Sequence, residues 1–134
     1  MNILYFLTPK NQVANIYENS NLRQLMEKLE YHGYTAIPVI NHDGQYVGTV
    51  SEGDILRVVK EKFNMNLQAA QGILVKDIPR RTNILPVNAN ASMDDIMDMA
   101  MMQNFVPVTD DNNVFIGLVT RKDIIKHFRN KLNK

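Results

Sequence analysis

Two segments of this chain set a hydroxyl and a carboxylate three positions apart just after an apolar stretch containing glycine. They are Gly48-Thr49-Val50-Ser51-Glu52-Gly53-Asp54 and Gly117-Leu118-Val119-Thr120-Arg121-Lys122-Asp123. At the start of a helix such a pair forms a capping box, in which the hydroxyl accepts a bond from a free helix N–H and the acid reaches back to the cap. The same two groups can grip the vicinal hydroxyls of a ribose, while the unsatisfied N–H groups and the helix dipole favour a phosphate nearby. Capping explains either segment alone. Their recurrence in register is harder to explain that way, and apolar strand residues such as Ala36, Ile37 and Val106 are placed to wall a flat base. Arg121 and Lys122, at the second helix start, are candidates for a phosphate contact and equally for a solvated surface.

The elements that must position these groups are themselves repeated. Tyr34-Thr35-Ala36-Ile37-Pro38-Val39 leads through Asn41-His42-Asp43-Gly44 to the first segment, and Phe105-Val106-Pro107-Val108 leads through Asp110 to Asn113 to the second, 69 residues later. The Asp-Gly dipeptide between alternating apolar runs predicts a hairpin. Before each hairpin the spacing predicts a helix: Leu22, Leu25, Met26 and Leu29 after a turn at Asn19 to Asn21, closed by Gly33, and Met93, Ile96, Met97 and Ala100 after a cap at Asn90 to Ser92. Short strands at Val13 to Ile16 and Ile84 to Val87 precede these helices. Met93 and Met97 are expected in the core, and Met101 and Met102 at the interface between the copies. The helix from Ser51 is expected to continue past Phe63 into a linker over 64–76. Thr8-Pro9-Lys10 and Asp77 to Thr82 are expected to lead into the first and second units. Two copies of one supersecondary unit suggest equivalent polar groups converging on a ligand.

Composition narrows the function. At 134 residues and 45% hydrophobic, the chain can bury a core without disulfides, and it has no cysteine. His32, His42 and His127 show neither metal-ligand spacing nor a link to a nucleophile, and no phosphate-binding glycine loop occurs, so neither a metal nor catalysis is expected. No apolar run reaches the length of a membrane span and the first residues do not resemble a signal peptide, which predicts a cytoplasmic protein. Residues 121–134 carry six cations against Asp123 alone. Cations at a helix C-terminus complement the dipole, so this tail is expected to be solvated and not a nucleic-acid surface.

The paired Pro-Val strands and paired glycine-to-acid segments resemble a tandem cystathionine β-synthase (CBS) domain pair, also called a Bateman module, over nearly the whole chain. Gly33 to Val39, Asp77 to Arg80 and Asn104 to Lys122 are similar to small stand-alone bacterial CBS-pair proteins, some of which bind cyclic di-AMP. The resemblance implies an α/β fold of two βαββα repeats, 1–66 and 67–134, packed with pseudo-twofold symmetry. It also implies clefts for AMP, ADP, ATP or cyclic di-AMP, with no cofactor required. Ser51 and Asp54 would serve one ribose, and Thr120 and Asp123 the other. The backbone at Ala36-Ile37-Pro38 or Phe105-Val106-Pro107 would meet adenine, with Thr8, Lys10, Thr82 and Ile84 alongside. A homodimer is expected through Ile55, Leu56, Val59 and Phe63 or Ile124, Ile125 and Phe128, signalling to an effector protein. The alternative is a purely structural dimerisation module with no physiological ligand.

Overall fold

A computed structural model describes residues 2–62 and 66–133. Among them it is a mixed α/β structure of two sheets and five α-helices. The chain divides into two compact units, Ala14–Asn83 and Met1–Val13 with Ile84–Lys134. The sequence repeats and the compact units are therefore different divisions of the chain.

In the first unit, strand β2 (Ile16–Tyr17) runs parallel to β3 (Ala36–Ile40), which pairs antiparallel with β4 (Tyr46–Ser51). Helix α1 (Leu22–His32) starts at a capping box in which Asn21 Oδ1 accepts from the Gln24 N–H and Gln24 Oε1 from the Asn21 N–H, each at 2.9 Å. It ends at Gly33, whose φ of 68° is the left-handed turn that glycine takes without steric cost. Leu22, Leu25 and Leu29 share one buried face and pack on Ile16, Ile37, Val39 and Val50, together with Ile55 and Val58 of α2 (Glu52–Glu61). The predicted continuation of α2 does not occur. The helix closes at Lys62, and Asn66 caps a separate short helix, α3 (Leu67–Gln71), with its side chain accepting from the Ala69 N–H at 2.8 Å. Phe63 lies outside the described residues.

The second unit repeats this order around β5 (Val87–Asn88), α4 (Met93–Met102), β6 (Phe105–Thr109), β7 (Phe115–Thr120) and α5 (Arg121–Leu132). Ser92 and Asp95 form the capping box of α4. Of the α4 methionines, Met93 packs against the core as expected, but Met97 is exposed. Helical phase brings Met99 inward in its place, beside Ile96 and Ala100.

The segments expected to lead into each unit pack with the other repeat. Ile3 and Phe6, in a short 3-10 helix, fill the core formed by Ile96, Val106, Val119 and Ile124. Burial of each such side chain contributes about 1.5–3 kcal/mol. Strand β1 (Thr8–Pro9) then adds to the β7 edge, with Thr8 opposite Leu118 and Pro9 opposite Gly117. Residues 73–78 are bound to the first repeat in the same way. The Val75 N–H donates to Ser20 O at 2.8 Å, the Lys76 N–H donates to Glu18 O at 2.9 Å, and Val75 and Ile78 are buried. Among the described residues no helix is long and apolar enough to cross a membrane.

Gly117 has a φ of 156°, and a Cβ there would meet Thr8 O at 2.3 Å. Gly117→Ala should therefore destabilise the protein by about 2 to 3 kcal/mol, because strain and a backbone clash act together. Gly33 has open space around it, so Gly33→Ala should cost only the left-handed penalty of about 1–2 kcal/mol. Urea unfolding of the two variants checks the ranking.

Candidate functional site

The two glycine-to-acid segments both deliver a strand end to a helix start, and the backbone treats them alike. The Glu52 N–H donates to Thr35 O and the Arg121 N–H to Asn104 O, each at 2.9 Å. Ser51 caps α2, accepting from the Asp54 N–H at 3.3 Å, and Thr120 caps α5, accepting from the Asp123 N–H at 3.1 Å.

The side chains then diverge. In the first unit Asp54 is only 3% exposed. Its Oδ2 accepts from the Ser51 N–H at 3.0 Å, and its Oδ1 accepts from the Arg81 N–H at 3.2 Å and from the Arg57 guanidinium. The Arg80 guanidinium covers Gly48, where it occupies the space of a Cβ, and donates to Val47 O at 3.3 Å. Under this cover the Tyr46 hydroxyl bonds Thr49 Oγ1 at 2.7 Å. Burial pushes the Tyr46 phenol up to about 12, against the opposing effects of the Thr49 bond and the Arg80 charge.

In the second unit Thr120 caps without a reciprocal bond, and among the described residues no hydrogen bond or ion pair reaches the Asp123 carboxylate. Asp123 instead lines a cavity of about 380 Å³ with Tyr5, Thr8, Lys126, His127 and Asn130. The three last residues have no motif of their own. The available signal is their spacing of three, four and seven from Asp123, which aligns them along one face of α5. His127 is held edge-on by Tyr5, Phe6 and Phe128, and among the described residues its buried Nε2 has no hydrogen-bond partner. The cavity thus combines a carboxylate acceptor, an ammonium donor and an aromatic ring. Its volume suits a small ligand.

Ile37 and Val106 have no exposed surface and point into the two cores, so their side chains do not wall a ligand. Strand alternation turns them away from the face that Ala36 and Phe105 share with the buried Pro38 and Pro107. Ala36 and Phe105 are half-buried at the strand starts. Lys10 is half-buried in a 3-10 turn, Thr82 is exposed in the first unit and Ile84 is half-buried in the second. Lys122 is exposed. The Arg121 side chain folds back on α4, with Nε donating to Ala100 O at 2.6 Å and Nη2 to Met101 O at 3.5 Å, so it satisfies carbonyls at that helix end. Among the described residues no group of three or more His, Asp or Glu could hold a metal ion.

The CBS domain family model matches residues 7–61 and 75–130, and the chain belongs to that family. It is 28% identical to cyclic di-AMP receptor B of Bacillus subtilis, over 96% of this chain and 89% of the relative. A protein of Methanocaldococcus jannaschii is 22% identical over 96% of this chain, which spans half of that relative's length. Among solved structures, CbpB in complex with c-di-AMP superposes with a TM-score of 0.88 at 29% identity, covering 99% of this chain and 87% of that one.

The raised Tyr46 value fixes the sign of a pH effect. The folded-state value of about 12 lies above the ordinary 10, so the stability it confers is complete below pH 10 and is lost as the pH rises towards 12. The loss is at most about 2 to 3 kcal/mol. Tyr46→Phe should lose less stability than the parent between those pH values, as read by urea unfolding across the range.

Proposed function

We propose that this chain is a non-catalytic regulatory module that binds an adenine nucleotide, AMP, ADP, ATP or cyclic di-AMP, and signals its presence to a partner protein. The observation that carries the reading is the cavity of the second unit, where the unengaged Asp123 carboxylate meets Thr8, Lys126 and Tyr5. Asp123 serves the ribose hydroxyls, Lys126 the phosphate, and Tyr5 offers a face to the base. Near-full-length similarity to a cyclic di-AMP receptor, and to a fold solved with that nucleotide bound, supports the ligand class. That the relative is a receptor by name supports a sensor over an enzyme.

A ligand at a hundredfold excess over its dissociation constant adds about 2.7 kcal/mol of stability. AMP or cyclic di-AMP should therefore raise the melting temperature by several degrees. If neither these nor ADP and ATP shift the transition at millimolar concentration, the sensor reading fails and the purely structural module takes its place.

We also propose a homodimer, on a revised set of residues. Ile55 and Ile124, given to the dimer face by sequence, are core residues, and Phe128 packs against the core. Their neighbours Leu56 and Ile125 are 60% and 58% exposed. Met26 on α1 and Met97 on α4 are exposed as well, so each unit presents the same helix-borne apolar pair at matched positions. A surface of this kind is suited to a second copy of the chain. Light scattering should give a dimer mass at micromolar concentration and a monomer mass for Leu56→Glu combined with Ile125→Glu. A parent protein that stays monomeric with and without nucleotide refutes the dimer.

A further inference from the structure

The two repeated acids do different work. Asp54 receives three donors: the Ser51 N–H at 3.0 Å, the Arg81 N–H at 3.2 Å and the Arg57 guanidinium. A carboxylate has about four lone-pair positions. With three taken and 3% of the residue exposed, Asp54 has no pair of positions left for the two hydroxyls of a ribose. Two of its three donors come from outside the capping box, and Arg81 lies 27 residues along the chain. The neighbouring Arg80 adds its own bond to Val47 O across Gly48. Residues 80–81 are thus fastened to β4 and α2 through one buried carboxylate and one glycine.

Asp123 has none of these bonds and faces a cavity. The contrast traces to equivalent positions. Arg57 and Lys126 both stand three residues after the acid. The planar guanidinium of Arg57 bonds Asp54, whereas Lys126 lines the cavity beside Asp123 without pairing with it.

We infer that Asp54 is a structural clamp holding residues 80–81 to the first unit, and that ligand recognition through the repeated acid rests on Asp123, with one nucleotide per chain. Arg57 is the positioning residue, since its bond commits Asp54 to the fold. This inference rests on the nucleotide-binding reading for its second half only; the clamp itself depends on bonds within the first unit.

The test combines calorimetric titration of cyclic di-AMP and of AMP with thermal unfolding, for the parent, Asp54→Asn, Arg57→Gln and Asp123→Asn. The parent should bind one nucleotide per chain. Asp123→Asn should weaken binding about ten- to a hundredfold, the loss of a charge-assisted bond, with the melting temperature of the free protein nearly unchanged. Asp54→Asn should lower the melting temperature by several degrees and leave the affinity of the folded fraction as it was. Arg57→Gln should do the same with Asp54 intact, and it decides the matter if Asp54→Asn does not fold. Two nucleotides per chain in the parent, or an affinity loss for Asp54→Asn or Arg57→Gln equal to that of Asp123→Asn, overturns the inference. If neither nucleotide binds any of the proteins, the nucleotide reading fails separately and the clamp is judged on unfolding alone. A lower melting temperature for Asp54→Asn and not for Asp123→Asn then supports it, and equal effects reject it.

Discussion

Each repeat's core is closed by apolar side chains from beyond its own hairpin and helices, and much of the remaining structure depends on that constraint. Ile3 and Phe6 complete the core under α4 and α5, while Val75 and Ile78 complete the one under α1 and α2. A two-helix, three-strand unit of this size buries too small a fraction of its surface to be independently secure. The borrowed segments supply the missing burial and also cover the sheet edge or its glycine. In the second unit β1 pairs with β7 and brings Thr8 O against Gly117. In the first unit the guanidinium of Arg80 occupies the corresponding place over Gly48. The same requirement, a residue without a side chain on the last strand, is met by a backbone in one unit and by a cation in the other.

That substitution has a consequence for chemistry. A strand laid over Gly117 carries Thr8 and Tyr5 to the side of α5 where Asp123, Lys126 and Asn130 stand, and so builds a cavity. An arginine laid over Gly48 brings the next residue, Arg81, within reach of Asp54 and uses up the carboxylate. Identical local motifs thus acquire different environments from the chain that crosses them.

The local signals in the sequence were specific enough to fix most elements. The Asp-Gly turn, the caps at Ser51, Ser92 and Thr120, and the left-handed end at Gly33 each name one backbone solution, and all are present. Side-chain orientation was less legible. Apolar periodicity on α4 admits two phases when five of ten residues are methionine, and it was packing that turned the half-buried Met99 against the core and left Met97 exposed. In the same way, adjacent isoleucines at 124 and 125 cannot both face inward on a helix, and sequence alone did not choose between them. The separate α3 was hidden because its cap, Asn66, is a weak signal without an apolar run behind it.

The candidate site was legible as a pair and illegible as two different places. Ser51-x-x-Asp54 and Thr120-x-x-Asp123 read alike because capping and ribose binding call for the same groups at the same spacing. What separates them is tertiary: a donor 27 residues downstream in one case, and a segment more than a hundred residues upstream in the other. Arg121 makes the same point from the opposite direction. Its position beside a helix start favours phosphate by charge alone, yet the orphan carbonyls at the end of α4 lie within reach and engage its guanidinium. A cation in a folded chain bonds the acceptors that packing places nearest, and for Arg121 and Arg57 those acceptors are the protein's own. Lys126 lacks such a partner among the described residues while sharing a cavity with an unengaged carboxylate. The polar groups that the fold leaves unused at Asp123 and Lys126 are a property of the assembled second unit and not of either motif.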